Sequence, residues 1–168
     1  MAEELDHLHK RLSAEGDKTI AFFEALPEVD WNHKVYRAGS GWRIREVLAH
    51  FISAERAYQR YLREVLTGGS GAPNDFDINE FNETDVAAMN DINPDQLLES
   101  YKSTREYTLQ LTSSLKESDL HKKANHPWFE EKEVGWYLKL IYRHNMMHLQ
   151  DVRKSLRTGE SIPDSDGH

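Results

Sequence analysis

The chain has no cysteine in its 168 residues. Disulfides, thiolate ligands and a cysteine nucleophile are excluded together, so any bound metal must be held by His, Asp or Glu. No stretch reaches the apolar length of a membrane span, and the opening MAEELDHLHKRL is charged and lacks the apolar centre of a signal peptide. A cytoplasmic protein with no membrane partner is the expectation. Positive charge is scarce as well: 21 Lys and Arg stand against 29 Asp and Glu, the formal net charge is −8, and no Lys/Arg-rich run occurs. That balance opposes non-specific attraction to phosphate backbones, and no nucleic-acid partner is expected.

What is present is amphipathic. The length suits one domain with a real core, and 38% hydrophobic against 30% charged residues fits helices with strongly polar outer faces. Residues 133–156, EVGWYLKLIYRHNMMHLQDVRKSL, contain no proline and carry Val134, Tyr137, Leu138, Ile141, Met147 and Val152 at helical spacing. Residues 44–66 repeat the pattern with Ile44, Val47, Leu48, Phe51, Tyr58 and Leu62. A first helix is predicted over 3–26, weakened at Gly16 and ended by Pro27. A further one is predicted over 94–115, opened by an Asn93 cap with Pro94 at the first helical position. TGGSGAPND at 67–75 is a clear break, followed by a short Asp- and Asn-rich helical segment. Together these predict an all-α fold, a four-helix bundle with a long crossover connection between its second and third long helices. The bundle domain is expected over 1–157 and a flexible C-terminal tail over 158–168. Residues 28–41 read as a loop with a short extended piece near 34–37, and the segment around His126-Pro127-Trp128 reads as a loop.

His144 and His148 are four residues apart, and on a helix they share a face. Two such imidazoles can chelate a metal, although two half-buried histidines bonded to neighbours would look the same in sequence. His50 adjoins the apolar face of the second long helix. If that helix neighbours the last one, three imidazoles meet and leave a coordination position open, the arrangement of catalytic rather than structural sites. The alternative is three boundary histidines in a helical core. His7 and His9 are two apart, cannot share a helix face and read as solvated, His168 is assigned nothing, and His33 has no visible partner.

The block Gly41-Trp42-Arg43-Ile44-Arg45-Glu46-Val47-Leu48-Ala49-His50-Phe51 and the block His144-Asn145-Met146-Met147-His148-Leu149-Gln150-Asp151-Val152 resemble, in order and separation, two motifs of the DinB-like superfamily. That superfamily includes DinB/YfiT-type metal-dependent enzymes and thiol-dependent S-transferases. The resemblance implies a divalent transition metal (nickel, zinc or iron) held at His50, His144 and His148, and a homodimer. Many members carry Gln where this chain has Asp151. That carboxylate shares a face with both motif histidines, so it is a candidate catalytic residue that orients an imidazole or moves a proton. It could equally be a surface Asp paired with Lys154 or Lys139. Glu55 is a weaker candidate for the same duty.

The resemblance makes the leading reading an S-transferase acting on a small electrophile. The chain has no thiol of its own, so a low-molecular-weight thiol would come from outside. A second reading is metal-assisted hydrolysis with Asp151 as base. A third is a non-catalytic, stress-related binding or dimerisation module. Trp42, Trp128, Phe76, Phe81 and Asn82 are the candidate walls for a small-molecule substrate.

Overall fold

Apolar side chains recurring at helical spacing produce helices where the periodicity places them. In the computed structural model, which describes residues 3–163, α1 spans Glu3–Glu24, α2 Ile44–Leu66, a short α3 Ile78–Ala87, α4 Pro94–Ser113 and α5 Val134–Thr158. The ends follow local chemistry. The Asp77 carboxylate caps α3 by accepting the N–H groups of Asn79 and Glu80 at 2.9 and 3.1 Å. Asn93 caps α4 through the N–H of Gln96 at 2.9 Å, and α5 stops at Gly159 in the left-handed conformation.

Helix α1 packs against α4 and α5, and α2 packs against the same two. Consecutive helices α1 and α2 therefore lie on one diagonal of the bundle, and α4 and α5 on the other. Diagonal placement requires connections that cross the bundle ends, which residues 25–43 and 114–133 supply. The long crossover between α2 and α4 contains α3, whose main packing partner is α2.

The second of those end connections departs from the expected loop. Lys123–His126 (β1) and Glu130–Glu133 (β2) pair antiparallel as a hairpin. The strands are four residues each and hold one aliphatic residue, Ala124, between them, so the sequence carried too little strand pattern to read. The pairing is imposed from outside, where the Tyr137 hydroxyl bonds the Ala124 carbonyl at 3.1 Å and Val134 N–H bonds the Lys122 carbonyl at 2.8 Å. The residues after α5 also depart from a free tail. Ile162 exchanges backbone hydrogen bonds with Val35 and Arg37, both at 2.8 Å, pinning the chain beside the first connection. Residues 164–168 of the expected tail, with His168, lie outside the described residues.

The apolar core has two halves. One gathers Phe23, Tyr36, Leu48, Phe51, Leu97 and Val152; the other gathers Leu8, Leu12, Leu62, Tyr137, Leu138 and Ile141. Where they meet, buried polar groups interrupt α2, α4 and α5. Glu55 and Arg105 form a two-point ion pair there at 2.8 and 3.0 Å, and Arg105 also reaches the Leu12 carbonyl at 2.9 Å. Burial works against the Arg105 charge, but Glu55 and Tyr101 outweigh it and hold the guanidinium above its ordinary range. Gly16 makes this crossing possible, because a Cβ there would sit 2.9 Å from Arg105 Cγ. The glycine that weakens α1 locally is the one that lets Arg105 through.

Candidate metal centre

His50 points inward from α2, between Ala49 and Phe51 in sequence, while His144 and His148 point inward from α5 one turn apart. All three are buried, with relative exposures of 1%, 7% and 0%. The Nε2 atoms of His50 and His144 are 2.9 Å apart, and one nitrogen from each of the three rings lies within 4.8 Å of the others. The ring centroids form a triangle with sides of 4.7, 5.1 and 4.7 Å. Two ligands at about 2.0–2.1 Å from one ion sit roughly 3 Å apart or slightly more, so the donor spacing suits a shared ion after small side-chain adjustments. Neutral imidazole donors fit zinc, nickel, iron or copper.

A residue from the first connection completes the site. The Tyr36 hydroxyl lies 2.6 Å from His148 Nδ1 and donates to Asp151 Oδ2 at 2.9 Å. Since the hydroxyl proton goes to the carboxylate, the bond to His148 is made by Nδ1–H donating to the Tyr36 oxygen. That tautomer leaves Nε2 of His148 with its lone pair toward the triad. Tyr36 was missing from the sequence-derived candidates. It lies within the extended piece expected near 34–37, but nothing there marked it as a partner of α5. Trp42 lies over the His50 ring at 4.6 Å, and the Phe51 ring is 6.1 and 5.9 Å from His144 and His148.

His50 and His144 also form the polar end of a cavity between α2 and α3, walled by Tyr58, Tyr61, Phe76, Ile78, Phe81 and Asn82. Three of the five residues expected as walls are there: Phe76, Phe81 and Asn82. Trp42 covers His50 instead, and Trp128 sits in the hairpin turn beside Phe129. Burial raises the Tyr61 hydroxyl to about 12 and Tyr58 further still, so both stay neutral.

The remaining candidates fall elsewhere. Glu55, offered as a weaker aid to the histidines, is committed to Arg105 and Thr108, because a buried carboxylate is held by the nearest buried cation. His33 is not alone, since its Nε2 lies 2.6 Å from Ser155 Oγ. His126 is buried against Tyr58, Phe129 and Trp136, and its Nδ1 accepts the N–H groups of Trp128 and Phe129. Lys139 pairs with Glu4.

Comparison with known proteins adds a family and a fold. The family model of the DinB superfamily matches residues 11–152. No curated protein gives a match. Among solved structures, YfiT from Bacillus subtilis is similar over 96% of this chain and 91% of its own, at 19% identity and a TM-score of 0.72. It is described as "a probable metal-dependent hydrolase with an unusual four-helix bundle topology". DfsB, a sibling lethal factor precursor, is similar over 94% of this chain and 98% of its own, at 16% identity and a TM-score of 0.72. An uncharacterised protein from Escherichia coli UTI89 is similar over 94% and 96%, at 11% identity and a TM-score of 0.73. At these identities the likeness is one of fold.

Proposed function

The chain belongs to the DinB superfamily, and from that premise we propose that it is a metal-dependent hydrolase of a small molecule, with His50, His144 and His148 as ligands of one divalent ion. The observation that carries the reading is the convergence of three buried imidazoles, two of which, His50 and His144, line a cavity. YfiT's description concerns that protein, and on this chain the activity rests on these residues.

A divalent ion held by His50, His144 and His148 would supply Lewis acidity, which lowers the pKa of water to about 7. The chain's own groups do the rest. Tyr36 fixes the His148 tautomer and ring angle, and Asp151 fixes Tyr36. Asp151 therefore acts as a positioning residue, reaching His148 through the Tyr36 hydroxyl. Trp42 and Phe51 pack on the imidazoles, hold their planes and exclude water from that side. Tyr58 and Tyr61 stay neutral and leave the cavity uncharged.

The test pairs metal content with turnover, on protein purified without a His-tag. Wild type should carry about one equivalent of a transition metal and hydrolyse activated esters or amides without added thiol. The His144→Ala/His148→Ala variant should carry none and be inactive. Turnover that requires an added low-molecular-weight thiol would replace hydrolysis with thiol transfer. Full metal content with no turnover on either panel would reduce the protein to a binding module.

A further inference from the structure

Resting on that reading of the triad, we infer that the cavity between α2 and α3 is the substrate pocket, that it takes an uncharged apolar group in preference to a cationic one, and that α3 must move to admit it. Three observations carry this. Among the described residues, the cavity wall has no Asp, Glu, Lys or Arg; apart from the two histidines it is aliphatic, aromatic or, at Asn82, a neutral amide. A cationic group entering it would lose its water with no carboxylate to replace it and would face the divalent ion at the histidine end. The floor on α2 is made of Ala54 and Ala57, where larger side chains would fill the space.

The cavity measures only about 10 Å³ as it stands, about the room one water needs. A ring therefore enters only if its cover shifts. Helix α3 is that cover, placing Ile78 and Phe81 on the cavity while Asn79, Glu80, Glu83 and Thr84 are exposed. The crossover is tied at both ends. Ser70 and Ala72 hydrogen-bond Asn125 before α3, and Arg45 holds the carbonyls of Asn90 and Ile92 after it. Between those anchors α3 packs mainly on α2, burying Ile78, Asn82 and Val86, so the opening that admits a ring is a shift of α3 against α2 that leaves the contacts of α2 with α4 and α5 in place.

Benzamide and benzylammonium share a ring and differ in charge, and neither requires turnover to be detected. Binding of each is measured by NMR on metal-loaded and on metal-free protein, following the Asn82 side-chain amide. Benzamide should bind and shift that signal, and benzylammonium should bind at least tenfold more weakly. Ala57→Leu, or the milder Ala54→Val if the first misfolds, should weaken benzamide at least tenfold with metal content unchanged. Equal binding of the two probes, or benzamide binding untouched in a folded, metal-loaded filling variant, overturns the pocket assignment. Failure of hydrolysis alone would not move these readouts, so the two proposals fail separately.

Discussion

Tyr36 ties a loop residue to the last helix through two hydrogen bonds, 2.6 Å to His148 and 2.9 Å to Asp151. Tyr36→Phe keeps the ring and removes both. Outer partners of this kind typically change metal affinity 10–100-fold. The variant should bind the ion about 10–100-fold more weakly in chelator competition, with a stability loss of about 1–3 kcal/mol because the buried His148 N–H loses its acceptor. Asp151→Asn keeps an acceptor for Tyr36 and should have the smaller effect. Unchanged affinity in Tyr36→Phe would leave the tyrosine with a packing role only. His126 gives a second prediction at this scale. Burial first, then the nearby Lys132, lowers its pKa from 6.5 to about 4, and a proton on Nδ1 would also displace the two backbone N–H groups it accepts. Above pH 6.5 the ring is neutral whether the chain is folded or not. Between pH 6.5 and 4 the unfolded chain takes up a proton that the folded one refuses, so stability falls as pH falls. At about 1.36 kcal/mol per unit the loss is roughly 2–3 kcal/mol. Denaturant titrations at pH 7 and pH 4.5 should show His126→Asn losing less on acidification than wild type, by about that amount. At the residue scale the shared face of His144, His148 and Asp151 was legible, because helical spacing fixes which side chains stand together on one helix. Tyr36 was not, because no periodicity connects a loop to the helix it will touch.

Helix α3 and the hairpin show what holds elements rather than residues. Gly71 pairs with Asn125 of β1 at a φ of +90°, and a Cβ there would meet Asn125 N at 2.8 Å and Ala124 Cβ at 2.9 Å. Gly68 has a similar φ of +94° with nothing within 4 Å. Substituting alanine at both sites separates strain from contact. Gly68→Ala should lose about 1 kcal/mol from left-handed strain alone. Gly71→Ala should lose about 2–4 kcal/mol, because the backbone it clashes with cannot yield cheaply. Thermal melts check this, at about 2–4 °C per kcal/mol for a chain of this size. Equal losses at the two positions would mean that the crossover is not anchored to the hairpin. The long helices were legible from apolar spacing, and the Asn93-Pro94 start of α4 from its cap. The strands Lys123–His126 and Glu130–Glu133 were hidden, because each is four residues long and only Ala124 among the eight is aliphatic, too little pattern to read, and tertiary contacts decide their pairing.

The whole molecule brings α2 and α5 together as neighbours, so an ion at the triad would cross-link them. An ion that binds only the folded chain adds about 4 kcal/mol when present at about 1,000 times its Kd. Removing it by chelation should lower the wild-type melting temperature by about 10 °C. The His144→Ala/His148→Ala variant should melt at the same temperature with and without chelator. A chelator effect of equal size in both would place the ion elsewhere.

The sequence by itself determined the all-α class, the extent of the long helices, the pairing of His144 with His148 on one face, and the resemblance that singled out His50. These are local properties, set by spacing along one helix or by short motifs. Tertiary structure alone decided that α1 and α2 lie on a diagonal, that Tyr36 bonds both His148 and Asp151, that Glu55 belongs to Arg105, and that Ile162 returns to the first connection. Each of those joins residues far apart in the chain. The strength of such a contact depends on the burial of both partners and on their mutual geometry, neither of which a one-dimensional pattern carries.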